Sequence, residues 1–306
     1  MSRETRKVLA FVLKIISDRK GLFYWAFIRF LSAILPLISI YLYSLVIKQL
    51  ESKISLSTVI ITVILTLLVR LLDNYLRLLS ITRLEFIISN ICFDIHNFFV
   101  TDIKAESKEE RAATVQAIRN FSDASSVTLN LIKQPGIDSL VSILFIPIIL
   151  FIIDFPSFVI TLAYILTYYF IDAYTTQRYA QLKDIQNSKT EAYYAKLQDS
   201  NDYDLEQKSY TRHFNRLCKW SFTEWSFLQN SSVFFYCLNL FYLINAVYTG
   251  DKNISDLVLV MGYVTQTQIF LNSFSNIKDS FTDMNVGLEH LAKNQAISAI
   301  DLDDLI

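Results

Sequence analysis

The chain has 306 residues, 53% of them hydrophobic and 19% charged, with a mean hydropathy of +0.35. Five Gly and four Pro exclude collagen-like and low-complexity classes, and the apolar excess points to a helical membrane protein. A net charge of −1 gives no electrostatic reason to expect nucleic acid as a partner.

The elements follow in chain order. Residues 1–20, MSRETRKVLAFVLKIISDRK, are basic, and Lys14 interrupts their apolar residues. Without an unbroken apolar core or an A-x-A site this is no signal peptide; it reads as an amphipathic helix on the inner membrane face that turns at Gly21. Apolar runs follow at 22–47, 54–69, 139–153, 155–171, 227–248 and 257–277. A spanning helix needs about 20 mostly apolar residues, so the shorter runs extend through polar sequence beside them. The third and fourth runs abut at Asp154-Phe155-Pro156, together too long for one span, and proline there favours a reversal. Six spans in three hairpins result, with a membrane domain over 21–283 and a linker-like cytoplasmic tail over 284–306.

Basic residues cluster before the first span (Arg3, Arg6, Lys7, Lys14, Arg19, Lys20) and in two long connectors, about 81–138 and 175–226. The positive-inside bias therefore puts both termini in the cytoplasm, as in a multi-pass protein of a bacterial inner membrane. Both connectors have helical periodicity and almost no Gly or Pro before Pro135-Gly136. They predict spans that run on into the cytoplasm, with short cross-pieces near 112–123 and 196–208 and a turn back up at 133–136.

Ionisable groups inside a membrane point to function by default. Arg29 is expected to snorkel to the inner interface. Arg70 and Asp73 lie one helical turn apart and can pair; a structural ion pair and a gate or proton relay are both open readings. Asp154 is expected to be solvated at its outer turn, and Asp138 and Asp172 to mark helix exits. The last run is unusually polar, and Thr265, Gln268, Asn272 and Ser275 share one helix face. Such a stripe must meet protein or water. It reads either as interhelical hydrogen bonding or as the lining of a substrate cavity, to which Asn239 and Tyr242 would add. His96, His213 and His290 have no partner motif and read as surface residues. Cys92, Cys218 and Cys237 form no CxxC and offer neither a disulfide framework nor a zinc site. No catalytic or metal-ligating set stands out.

Several motifs carry a resemblance. QAIRNFSD at 116–123, KQPG at 133–136 and LFIPII at 144–149 occur in that order; LSAILPLISIYLYSLV fills 31–46 and RLCKWSFTEW fills 216–225. They are similar to the first-connector helix, the sGPG turn, the PWIPI segment, the first span and the second-connector Trp of ABC exporters of the type I secretion branch. The resemblance covers about residues 10–295. It implies an all-α, six-helix ABC-exporter membrane domain with long cytoplasmic extensions, assembled as a domain-swapped homodimer. It also implies coupling segments that dock on nucleotide-binding domains, here Gln116, Ile118, Arg119, Asn120 and Phe121 in the first connector and Asp199, Asp202 and Tyr203 in the second.

The chain itself has no G-x-x-x-x-G-K-[ST], and its five glycines are too scattered for a phosphate loop. No enzyme activity or cofactor is therefore expected of it; ATP and Mg would act only through a partner. Three explanations stay open: a separately encoded ATPase, an ATPase domain missing from this sequence, or a membrane domain that works without ATP. The expected function is a permease subunit moving peptides or proteins by alternating access. The alternative is an ATP-independent, proton-driven transporter or a non-transporting scaffold, and the acidic second connector, DSNDYDLEQK, leans mildly that way.

Overall fold

The computed structural model describes residues 21–101, 108–199 and 204–293, together with 16 and 19. The expected interfacial helix over 1–20 lies almost wholly outside them, as do Asp202, Tyr203 and the tail beyond residue 293. The described residues form helices α1 (Leu22–Glu51), α2 (Leu56–Thr101), α3 (Lys108–Leu131), α4 (Ile137–Ile153), α5 (Phe155–Asp199), α6 (Asp204–Tyr248) and α7 (Ile254–Lys293). A π-helical stretch, Ile132–Gly136, joins α3 to α4.

These make six rods long and apolar enough to cross a membrane, as expected. At 1.5 Å per residue, the 46 residues of α2 reach about 69 Å, more than twice the roughly 30 Å of a hydrocarbon core. The excess extends well beyond a hydrocarbon core. Large apolar side chains point outward all along the spans: Ile61, Leu67, Ile152 and Phe241 are among those exposed. A water-soluble fold would bury them; here they form the surface that lipid solvates.

The main core lies among α1, α4, α6 and α7, with Leu37, Val141, Ile146, Leu150, Leu243 and Val260 at its centre. Gly262 lets α1 and α7 touch, since a Cβ there would stand 2.6 Å from Ile40 Cγ2. Further in, Tyr179, Leu182 and Leu217 hold α5 to α6, with Trp220 against them.

The outer reversal forms as read from Asp-Phe-Pro. Asp154 is extended between α4 and α5, and its Oδ2 accepts the Ser157 N–H at 3.2 Å as an N-cap. Pro156 occupies the first turn, where its missing N–H leaves no bond unmade.

Two expectations about the first connector are corrected. Residues 133–136 do not turn. Gly136 has φ −66°, and the helix runs through Pro135 by widening to π register, which absorbs the bond that proline cannot make. Gln116, Ile118, Arg119, Asn120 and Phe121 do not form a cross-piece either. They sit within α3, part of the rod that becomes the third span. Ile118 and Phe121 are buried, and the backbone of Phe121 packs on Gly287 of α7, where a Cβ would come within 3.2 Å of Phe121 Cα. Apolar residues at helical spacing look alike whether they face a neighbouring rod or a docking partner. In the second connector, Asp199 is the last residue of α5.

Candidate functional site

At the end of the apolar spans from which the long helix extensions run on, α5, α6 and α7 line a cavity of about 420 Å³. One face of α6 lines it with Cys218, Ser221, Phe222, Glu224, Trp225 and Leu228; one face of α7 supplies Asn272, Ser275, Asn276 and Asp279; Tyr168 of α5 closes it. The repeats of three and four are the spacing of a single helix face, so a mixed polar and aromatic face of α6 looks across the opening at a polar face of α7.

The charges around this cavity are unevenly paired. Asp172 is 2% exposed, takes the ammonium of Lys278, and accepts the Ser275 hydroxyl at 2.9 Å. Glu224 is 4% exposed, and its Oε1 accepts the Thr175 hydroxyl. Tyr168 donates to Asn272 Oδ1 at 3.4 Å. Below the cavity Lys183 pairs with Asp283 at 2.9 Å. His290, expected as a lone surface residue, instead bridges Asp184 at 2.8 Å and Glu191 at 3.3 Å. Both contacts fix the extension of α7 to α5.

A second cluster is an ion network at the inner ends of α1, α2 and α4. Arg29 is 0% exposed; it pairs with Asp138, donates to Ser32 Oγ at 2.8 Å, and reaches the carbonyl of Gln134 in the π stretch at 3.3 Å. Arg77 pairs with Asp138 at 3.2 Å and with Asp73 at 3.5 Å. Two expectations are corrected here. Arg29 does not snorkel to the interface, because Asp138 satisfies its charge inside the bundle. Asp73 pairs with Arg77 on the following turn and not with Arg70, because Arg77 lies on the face that meets Asp138.

The third cluster caps the opposite end of the bundle, at the α4–α5 reversal and the α6–α7 turn. Asp154, expected to be solvated, is 4% exposed and takes Lys252 at 2.8 Å and the Tyr242 hydroxyl at 3.2 Å. Burial pushes the Asp154 carboxyl up, but hydrogen bonds from Lys252 and Ser157 and the Lys252 charge outweigh it and hold the group below the usual carboxylate range. Burial pulls Lys252 down; its hydrogen bond to Asp154 and the carboxylate charge prevail and raise it above the ordinary lysine value.

Of the six residues expected to line a cavity, the structure brings Asn272 and Ser275 to this one. Gln268 donates to the carbonyl of Ser232 at 2.8 Å, as interhelical hydrogen bonding requires. Thr265 is exposed, Asn239 bonds within its own helix to Phe235 O, and Tyr242 belongs to the third cluster. Sequence reasoning missed Glu224 and Asp279. Their signal was position: Glu224 falls three residues before the fifth run and Asp279 two residues after the sixth. Among the described residues no group of three His, Cys, Asp or Glu side chains is placed to hold a metal ion.

With this geometry in hand, the comparisons with known proteins speak to the fold. The chain superposes on a bacterial Atm1-family ABC exporter with ATP bound, at a TM-score of 0.76 and 11% sequence identity. The match covers 93% of this chain and 54% of that one, so the chain spans about half the length of that exporter's chain. No family model and no curated protein matches the sequence. The fold is that of an ABC-exporter membrane domain.

Proposed function

From a chain with the fold of an ABC-exporter membrane domain, we propose the permease of an ABC-type exporter of the type I secretion-like branch, moving peptides or proteins by alternating access. The observation that carries this reading is the cavity between α5, α6 and α7. It is concave and mostly apolar, with Glu224, Asp279, Asn272, Asn276, Ser221 and Ser275 set into its wall, and polar groups at that depth require protein, water or a cargo that can bond them. Two copies pair as a homodimer in a bacterial inner membrane, with both termini inside. ATP and Mg are bound by a nucleotide-binding chain or domain that docks beneath the junctions of α2 with α3 and of α5 with α6. No residue of this chain takes part in hydrolysis.

The three polar clusters suit such a machine. The Arg29–Asp138–Arg77–Asp73 network ties α1, α2 and α4 into one unit at their inner ends. The Asp154–Lys252 pair ties the α4–α5 reversal to the α6–α7 turn outside. Both favour motion of whole rods over bending, as rigid-body switching between two packed states requires.

The test is reconstitution. The chain is purified with and without a co-expressed ATPase, its stoichiometry is measured by native mass spectrometry, and peptide uptake into inverted vesicles is followed. The expected result is a dimer that transports only with the ATPase and ATP. Transport by the chain alone, driven by a pH gradient, would overturn the reading in favour of the ATP-independent one.

A further inference from the structure

The carboxylates around the inner cavity outnumber the cations. Asp172 has Lys278, and Asp283 has Lys183. Glu224 and Asp279, which both line the cavity, make no direct ion pair among the described residues; the nearby cation felt by both is Lys278, which is already paired with Asp172. The single hydrogen bond to Glu224 comes from a hydroxyl with one hydrogen to give, and the carbonyls of Ile171 and Asp172 also lie within its reach, at 3.0 and 3.2 Å. Glu224 is nine-tenths buried. Asp279 Oδ1 is shielded from solvent and has no hydrogen-bond partner among the described residues. Glu224, Asp279 and Asp172 stand near enough to repel one another. Such a group of charges is costly unless something positive joins it.

The walls say what kind of cation fits. Trp225, Phe222 and Tyr168 present rings, and Asn272, Asn276, Ser221 and Ser275 present hydrogen-bonding groups. Rings beside carboxylates attract an organic cation through both the quadrupole and the charge. A bare metal ion would lack its ligand set among the described residues. A proton alone would neutralise one carboxylate and leave the aromatic wall and about 420 Å³ of space unused. An anionic cargo would add like charge.

We propose that this cavity binds a protonated amine or guanidinium carried on an apolar body, with the charge on Glu224 and Asp279 and the body against Trp225 and Phe222. A lysine or arginine side chain of a peptide and a free hydrophobic amine share this chemistry. The inference deepens the transport reading, resting on the same cavity, and selects cationic cargo.

The experiment is equilibrium binding to the full chain in detergent, read by dansyl fluorescence. Three probes share one fluorophore and one pentyl arm: dansylcadaverine (cationic), dansyl pentylamide (neutral) and dansyl-6-aminohexanoate (anionic). Dansylcadaverine is expected to bind saturably, and the other two at least about tenfold more weakly. Glu224→Gln and Asp279→Asn are each expected to lower its affinity at least about tenfold, while Asp204→Asn, an exposed carboxylate on the same helix, leaves it unchanged. Competition by a Phe-Arg amide separates the two sources: displacement assigns the site to peptide side chains, and its failure assigns it to free amines. Equal binding of the three probes, absence of saturable binding, or full affinity in both variants would each overturn the proposal. The probe comparison needs only the unaltered protein, so a variant that misfolds does not remove the test. Neither ATP nor a second compartment enters the assay, so this proposal and the transport reading can fail separately.

Discussion

Arg29 is the largest wholly buried side chain, and it sits in a span where a charge normally seeks the interface. It stays because Asp138, 109 positions away, and Arg77 with Asp73 complete a set of two cations and two anions. Removing one member leaves an uncompensated buried charge. Arg29→Met should therefore lower unfolding stability in detergent by about 3–5 kcal/mol, and adding Asp138→Asn should recover a substantial part of that loss. At the other end of the bundle, Asp154→Asn should cost about 2 kcal/mol by the same assay, since Lys252 loses its counter-charge and the Ser157 N–H loses the Oδ2 acceptor when Oδ1 stays on Lys252 and Tyr242. The sign with pH follows from the two shifts. The Asp154 carboxyl is lowered in the fold, so its contribution is present above the ordinary value of about 3.9 and disappears as pH falls through the lowered one. Lys252 is raised, so its contribution is present below about 10.4 and disappears as pH rises through the raised value. A stability profile of the wild type minus Asp154→Asn should be flat between these limits and narrow at both ends.

At the scale of elements, two close approaches decide how the rods pack. A methyl at Gly262 would overlap Ile40 Cγ2 at 2.6 Å, so Gly262→Ala should destabilise by about 1–3 kcal/mol, and Ile40→Ala in the same chain should relieve part of it. The π stretch is the second. Gly136 is tightly packed, since a Cβ would stand 3.3 Å from both Leu131 O and Ile277 Cδ1. Gly136→Val should lower thermal stability in detergent, and Gly250→Ala, in open space but at φ +82°, should act only through its backbone and by about 1 kcal/mol. The existence of these helices was legible from hydropathy and from the scarcity of Gly and Pro. Their joins were less so. Pro135-Gly136 reads locally as a turn, yet the helix continues through it in π register, with Lys133 paired to Glu85 of α2 and Gly136 against Ile277 of α7.

Over the whole molecule, six rods with outward apolar faces and an inner cavity make a membrane domain of exporter fold. The expected lining stripe was half legible. Asn272 and Ser275 reach the cavity, whereas Thr265, Gln268, Asn239 and Tyr242 lie on other faces or at other depths. Of the coupling residues expected from the motif QAIRNFSD, Ile118 and Phe121 are buried packing residues of a rod, whereas Arg119 is exposed on it. Glu224→Gln should leave the dimer and ATPase association intact while changing cargo selection, which native mass spectrometry and a transport competition series would separate.

The sequence alone determined the number of candidate spans, the reversal at Asp154 and the class of fold. These depend on local quantities: hydropathy over a window, the φ of proline, and the spacing of apolar residues along one helix. Only the tertiary structure decided which charges meet. Arg29 with Asp138, Asp154 with Lys252, and the unpaired Glu224 and Asp279 come from separate helices. A charge in a membrane protein takes its meaning from its nearest counter-charge, and that distance is set by how rods remote in sequence pack side by side.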